Sequence, residues 1–138
     1  MQELRIGTGL TTYRINDTCE VSVNPTDVFF IEGLYNIFDA LDKRQETYQQ
    51  QIDKGDHKVV FQAARAANDE IRSDINSLFG FDICKEVFGN LNVCALSDGM
   101  PLWANLLLAF VDLAGDSVEA QQKQRSARME KYTSKYHR

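Results

Sequence analysis

The residues of this chain that could carry out chemistry are a few carboxylates, two histidines and three cysteines. The carboxylates recur at helical spacing in two segments, as Asp39 and Asp42 and as Asp69, Glu70 and Asp74. Paired carboxylates can serve as general acid and base, but acidic residues at this spacing are typical of a solvated helix face. We therefore expect no catalytic site among them.

The histidines and cysteines fit no metal-binding or nucleophile motif. His57 lies at a predicted turn between helices, His137 is next to the last residue, and neither belongs to an H-E-x-x-H motif. Cys19, Cys84 and Cys94 form no C-x-x-C pair and have no neighbouring histidine, so the pattern predicts buried thiols. The odd cysteine count and the polar N-terminus predict an intracellular, reducing setting.

A short glycine motif is the last chemical candidate. Gly7 and Gly9 form a G-x-G, but no third glycine or following helix completes a phosphate-binding loop. The sequence therefore predicts a protein that is not an enzyme and that has no catalytic residues, no cofactor and no metal.

Composition and charge narrow the remaining function classes. With 138 residues, 43% apolar and 25% charged, the chain is typical of one folded domain. The net charge of −5 argues against a nucleic-acid-binding protein, because phosphate contacts need clustered Lys and Arg. The longest apolar stretch, residues 102–111, is about half of the roughly 20 residues that a membrane helix needs, so no membrane association is expected. Residues 116–138 are basic, with six Lys or Arg and three Asp or Glu.

The N-terminal part predicts a β-hairpin over about residues 10–23. Apolar residues alternate on both strands, and they share one face of the hairpin only if the loop has an odd number of residues. A three-residue loop, 16–18, satisfies this condition and also places opposite charges across the hairpin. The predicted pairs are Ile15 with Cys19, Tyr13 with Val21, and Arg14 with Glu20.

A helix start follows the hairpin. Asn24 is a good N-cap residue, Pro25 suits the first helical position, and Asp27 is placed to complete a capping box. Val23 and Val28 are spaced as a hydrophobic staple. The pattern predicts that the first helix begins at residue 25.

The fold class predicted from these signals is α+β, mostly α: an N-terminal antiparallel β-hairpin, a long helical hairpin and further C-terminal helices. Gly115, followed by a second capping box of Asp116 and Glu119, predicts a break before a polar, basic helix or tail over 116–138. Residues 1–115 are expected to form a single domain. Its predicted helices span about 25–53, 57–79, 82–88 and 101–114.

The apolar segment 102–111 allows two interpretations. It contains one polar residue, Asn105. Either the helix is buried on all sides, or it is partly exposed and covered by a partner.

Three blocks of the chain resemble the tail assembly chaperones of long-tailed phages and prophages. The first runs from Val21 through an N-P-x-D turn into an aromatic-rich helix that reaches Leu41. The second is Leu78-Phe79-Gly80 with the glycine-ended segment 84–89, and the third is the apolar helix 102–113. Together they cover about a third of the chain, in the order found in that family.

The resemblance implies a non-enzymatic chaperone that binds the tape measure protein and keeps it soluble until the tail tube protein assembles around it. Such a protein acts in the cytoplasm of the bacterial host and is absent from the mature virion; self-association into a homo-oligomer fits this role. Large apolar residues favoured at interfaces are the candidate binding residues, although the same residues could be ordinary core. They are Trp103, Leu106, Leu107, Phe110, Phe29 and Phe30.

Two other functions remain open at this point. A head–tail connector or tail-completion protein would also be small and α+β, but it would stay in the virion. A nucleic-acid-binding module could use the basic segment 123–138, with Tyr132 and Tyr136 as the available stacking residues.

Overall fold

The computed structural model describes residues 1–136, and the side chains of residues 132 and 134–136 are not considered. The chain is mostly helical with an N-terminal two-stranded hairpin, which confirms the predicted fold class. The elements in chain order are β1 (Thr11–Ile15), β2 (Cys19–Val23), α1 (Val28–Lys54), α2 (His57–Phe79), α3 (Ile83–Phe88), β3 (Leu96–Ser97), β4 (Met100–Pro101) and α4 (Leu102–Tyr136).

The β1–β2 hairpin has the register that the sequence predicts. Ile15 pairs with Cys19, and Arg14 pairs with Glu20 at an Nη2–Oε1 distance of 3.5 Å. The three-residue loop has positive φ angles of 50° at Asn16 and 58° at Asp17, which short polar side chains tolerate. The predicted odd loop is therefore confirmed, and the buried residues of β2 lie on one face.

The predicted helix start at residue 25 is wrong. Asn24 and Asp27 instead close a β-turn, in which the Asp27 amide donates to the Asn24 carbonyl oxygen at 3.1 Å. Pro25 occupies the second turn position, which it favours. The Asn24 side chain accepts from the Thr26 amide at 2.9 Å, so it stabilises the turn rather than capping a helix.

The N-cap of α1 is Asp27, three residues later than predicted. Its carboxylate accepts from the Phe29 amide at 3.0 Å, and the helix begins at Val28. In this register Val28 is the first helical residue and is 70% exposed. The hydrophobic staple with Val23 is therefore absent.

Helices α1 and α2 form the predicted antiparallel hairpin. Asp56 caps α2 by accepting from the Val59 amide at 3.0 Å, and α2 ends at Gly80, which has a φ of 80°. Arg44 of α1 pairs with Glu70 and, at 3.7 Å, with Asp74 of α2. The bounds of α2 and its cap agree with the sequence prediction.

The first half of α4 packs against α1 in the core. Trp103 is 1% exposed, and its indole Nε1 donates to Gln45 Oε1 of α1 at 3.1 Å. Its ring meets Phe38 edge to face, with the ring centroids 5.5 Å apart. Of the two interpretations of the apolar segment, a helix buried on all sides is not observed: most of the segment faces the core, but Ala109 is exposed and Leu108 and Val111 are half-buried.

The predicted break at Gly115 is also wrong. Helix α4 runs without interruption from Leu102 to Tyr136, so Asp116 and Glu119 lie inside the helix and form no capping box. Glycine costs only about 1 kcal/mol in a helix interior, which does not end a helix whose first half is anchored by buried side chains. Residues 119–131 are exposed throughout.

A short β-ribbon, β3 and β4, precedes α4. It turns at Asp98 and Gly99, whose φ angles are 56° and 79°, and the helix begins one residue after Pro101. Within the described residues, none of the helices combines the length and the hydropathy that crossing a bilayer requires.

Candidate functional site

Four of the six predicted binding residues belong to the core. Trp103, Leu106, Leu107 and Phe110 are each at most 6% exposed. They are buried because the first half of α4 lies against α1, so in this conformation they cannot contact a partner. Of the two roles that the sequence leaves open for these four residues, the folded chain has the core role.

The two phenylalanines of α1 differ from each other. Phe30 is half-buried, and its ring lies edge-on to Phe79 and Phe110, with centroid distances of 5.9 Å to both. Phe29, the residue before Phe30, is 84% exposed. Of the predicted set, Phe29 is the residue that remains on the surface.

An apolar groove runs between α1 and the middle of α4. Its cavity has a volume of about 270 Å³ and is mostly apolar. Leu34 and Ala114 lie buried at its base, whereas Tyr35 on its edge is 54% exposed. The lining residues are Ile31, Leu34, Tyr35, Val111, Ala114, Gly115 and Val118.

The groove exists because α4 carries two small residues where it passes α1. Ala114 contributes only a methyl group, and Gly115 contributes no side chain. A Cβ built on Gly115 would meet no atom within 4 Å, so the space beside this residue is open. Unlike the buried aromatic face of α4, this groove is an apolar surface that a partner can reach.

Apolar surface continues from the groove toward the start of α1. Val28, Ile31 and Tyr35 follow one another at i, i+3 and i+7, and therefore lie on one helix face. Val28 and the neighbouring Phe29 are 70% and 84% exposed. Val28 therefore extends the apolar face of the groove, whereas Phe29 lies about 100° further around the helix, on a different face.

Acidic residues flank the groove along both helices. Glu32 and Asp39 lie one position after Ile31 and Phe38 on α1 and are exposed, and Asp112, Asp116 and Glu119 are exposed on α4. Helical spacing places these carboxylates beside the apolar stripe rather than within it. The groove therefore fits a helix that has an apolar stripe bordered by Lys or Arg side chains.

The remaining chemical candidates have structural roles or lie on open surface. The His57 ring stacks on Phe61 at a centroid distance of 6.4 Å, and His137 lies outside the described residues. Within the part of the chain that the structure describes, no group of three His, Cys, Asp or Glu side chains is arranged to hold a metal ion. Asp39 and Asp42 are exposed along α1.

The three cysteines are free and buried, as predicted. The pKa of each thiol is raised from 9.0 to about 11, mainly by burial, and at Cys19 the nearby Glu86 carboxylate contributes to this rise. A thiol with this pKa is protonated at neutral pH and is a poor nucleophile.

A larger and more open polar cavity, about 660 Å³, lies along α2 and includes Asp69 in its lining. Arg72 lines it as well, and its Nη2 donates to the carbonyl oxygens of Gly89 and Leu91 at 2.8 and 2.6 Å. Its Nε donates to Asn68 Oδ1 at 3.1 Å. This arginine holds the loop after α3 onto α2, so the arrangement is structural.

Sequence reasoning did not identify the groove. The available signal was the pair Ala114-Gly115 within an otherwise bulky apolar helix, which indicates a close approach or an open space. The pair was instead interpreted as the end of the helix. Comparison with protein-family models, with curated proteins and with solved structures gives no match to this chain.

Proposed function

We propose that this protein is a phage tail assembly chaperone that binds the tape measure protein and keeps it soluble until the tail tube assembles. Two observations support the proposal: the three sequence blocks that resemble this family, and the apolar groove between α1 and α4. The groove supports the mechanism of the proposal, because its unfilled, mostly apolar volume of about 270 Å³ can accept apolar side chains of a client helix.

The groove gives this activity a physical basis. A long, mostly helical client exposes apolar stripes before assembly, and such stripes aggregate when no surface covers them. A client helix with its apolar stripe over Ile31, Val111 and Gly115 would have that stripe removed from water. The acidic flanks would attract Lys and Arg beside the stripe, which raises the association rate more than the affinity.

The same geometry favours reversible binding. The charges on the edges of the groove are exposed, so salt weakens the ionic part of the contact. In the proposal, polymerising tail tube protein displaces the chaperone from the tape measure protein. The chaperone thus acts in the cytoplasm of the bacterial host and is absent from the finished virion.

Co-expression with the tape measure protein of the same phage tests the proposal. The wild-type chain should increase the soluble fraction of that protein and co-purify with it. Gly115→Gln should abolish both effects, because the glutamine side chain fills the groove. Since glutamine is also a better helix former than glycine, a loss of binding cannot be attributed to a weakened helix.

Ala109→Gln is the matched control. Ala109 is exposed on α4, on the side turned away from the groove, so this variant should bind like the wild type. If no complex forms with the wild-type chain, the chaperone proposal is wrong. If the protein is detected by mass spectrometry in purified virions, a connector or tail-completion role replaces it.

A further inference from the structure

The second half of α4 extends beyond the core and is exposed to solvent. Residues 119–131 are exposed on every face, and we call residues 119–136 the tail. A polar helix of this length is marginal in water when nothing covers it. A surface that covers the tail would therefore contribute directly to its stability.

The groove-facing stripe of α4 continues along the tail. From Gly115 onward, the positions on this face alternate in steps of three and four, which is the spacing of a helix–helix seam. Met129 supplies the large apolar side chain of the tail on this face and is 55% exposed. The stripe consists of Gly115, Val118, Gln122, Arg125 and Met129.

Charge is divided along α4 in a way that determines which surface can cover the tail. The segment beside the groove carries Asp112 and Asp116, whereas the exposed residues of the tail include four cations and two carboxylates: Lys123, Arg125, Arg128, Lys131, Glu119 and Glu130. Paired in parallel, two copies of α4 would bring like charges together. Paired antiparallel, the basic tail of each copy would lie over the acidic segment of the other.

We propose that two copies of this chain form a homodimer in which the tail of each copy lies antiparallel in the α1–α4 groove of the other. The contact is isologous, because each copy supplies one groove and one tail. Met129 of one copy lies in the space that Gly115 and Ala114 leave open in the second copy. The Lys and Arg residues of the tail lie against the acidic groove edges.

The lengths agree with this arrangement. At about 1.5 Å per residue, the tail, residues 119–136, spans about 26 Å. The groove from Val111 to Val118 spans about 10 Å along the same axis. The tail is therefore long enough to fill the groove completely.

Sedimentation and light scattering of the purified full-length protein test the proposal without any client. We expect a dimer at micromolar concentration that dissociates as salt increases, because the contacts at the groove edges are ionic. Arg125→Glu/Arg128→Glu should yield monomers with unchanged helix content. Lys58→Glu/Arg65→Glu changes the net charge equally at exposed sites on α2 and should leave the dimer intact.

Cysteine crosslinking determines the direction of pairing. Gly115→Cys and Met129→Cys are prepared separately, mixed and oxidised; within one copy the two positions are about 21 Å apart along the helix. An antiparallel dimer gives a disulfide between the two different variants, whereas a parallel dimer gives disulfides between identical variants.

Three results would each overturn the proposal. The first is a wild-type protein that is monomeric both at about 200 µM and after 100-fold dilution. The second is a dimer that Arg125→Glu/Arg128→Glu leaves intact, and the third is crosslinking between identical variants only. In the dimer the tail occupies the same groove as the client proposed above, so a client must displace the tail. These measurements use the protein alone, so their outcome is independent of whether the tape measure protein is the client.

Discussion

Two glycines inside long helices provide a matched test of the packing described above. Gly115 of α4 is exposed, and a Cβ built there meets nothing within 4 Å, whereas a Cβ at Gly33 of α1 would lie 2.6 Å from Leu78 Cδ1 of α2. Replacing glycine by alanine in a helix stabilises it by about 1 kcal/mol. Gly115→Ala should therefore raise the free energy of unfolding by about that amount.

Gly33→Ala brings the same gain in helix propensity, but it also displaces the Leu78 side chain. Moving a half-buried leucine away from its packing position typically costs about 1–3 kcal/mol. The two terms together predict a net effect between about zero and a loss of about 2 kcal/mol. The difference between the two alanine variants should therefore be at least about 1 kcal/mol.

Urea denaturation followed by far-ultraviolet circular dichroism measures this difference. Both variants are compared with the wild type at one low protein concentration, because self-association makes apparent stability depend on concentration. For a domain of this size, a gain of 1 kcal/mol in Gly115→Ala corresponds to a rise of about 4 °C in Tm. Equal stabilisation by both substitutions would refute the close α1–α2 contact at Gly33. Destabilisation by Gly115→Ala would refute an uninterrupted α4.

Two further predictions concern the hydrogen bonds of Arg72 to the loop after α3 and the pKa values of the thiols. Arg72→Ala should lower the free energy of unfolding by about 1–3 kcal/mol, because two loop carbonyls lose charged donors; Arg65→Ala on the exposed side of α2 is the control, and equal effects would contradict the assigned role. The thiol pKa values of about 11 lie above the ordinary 9.0, so the folded state holds these protons more tightly than the unfolded state. Their contribution to stability is complete below about pH 9 and is lost as the pH rises toward 11. Urea titrations across this range should show the decline, and a variant with all three cysteines replaced by alanine should show a smaller one; identical pH profiles would contradict burial as the cause.

The elements that the sequence predicts correctly are those fixed by neighbouring residues. Helix α1 ends at Gly55, and α2 has Asp56 as its N-cap and Gly80 as its left-handed C-cap. These residues define α2 without reference to the rest of the fold. The register of the β1–β2 hairpin is also determined locally, because a two-residue loop would place Ile15 and Cys19 on opposite faces of the hairpin.

The errors occur where a residue has two favourable local uses. Asn24 can cap a helix or stabilise a turn, and Pro25 suits the first helical position as well as the second turn position; local signals do not decide between them. Gly115 can end a helix or lie inside one, and the buried first half of α4 decides the outcome.

The candidate site was the least predictable part. Whether Trp103 faces a partner or the core depends on how α1 packs on α4, and that packing joins segments about sixty residues apart in the chain. The groove has the same origin, since neither Tyr35 nor Gly115 alone indicates an open space. It arises only when the two helices are placed side by side.

The continuity of α4 also means that the tail has a fixed rotational phase relative to the core. No loop separates Trp103 from the tail, so the direction in which Arg125 and Met129 point is set by the packing of residues more than two turns earlier. One residue inserted near Gly115 would rotate the entire tail by about 100° around the helix axis without disturbing a buried contact. Recognition through the tail therefore depends on helical phase as well as on which side chains are exposed.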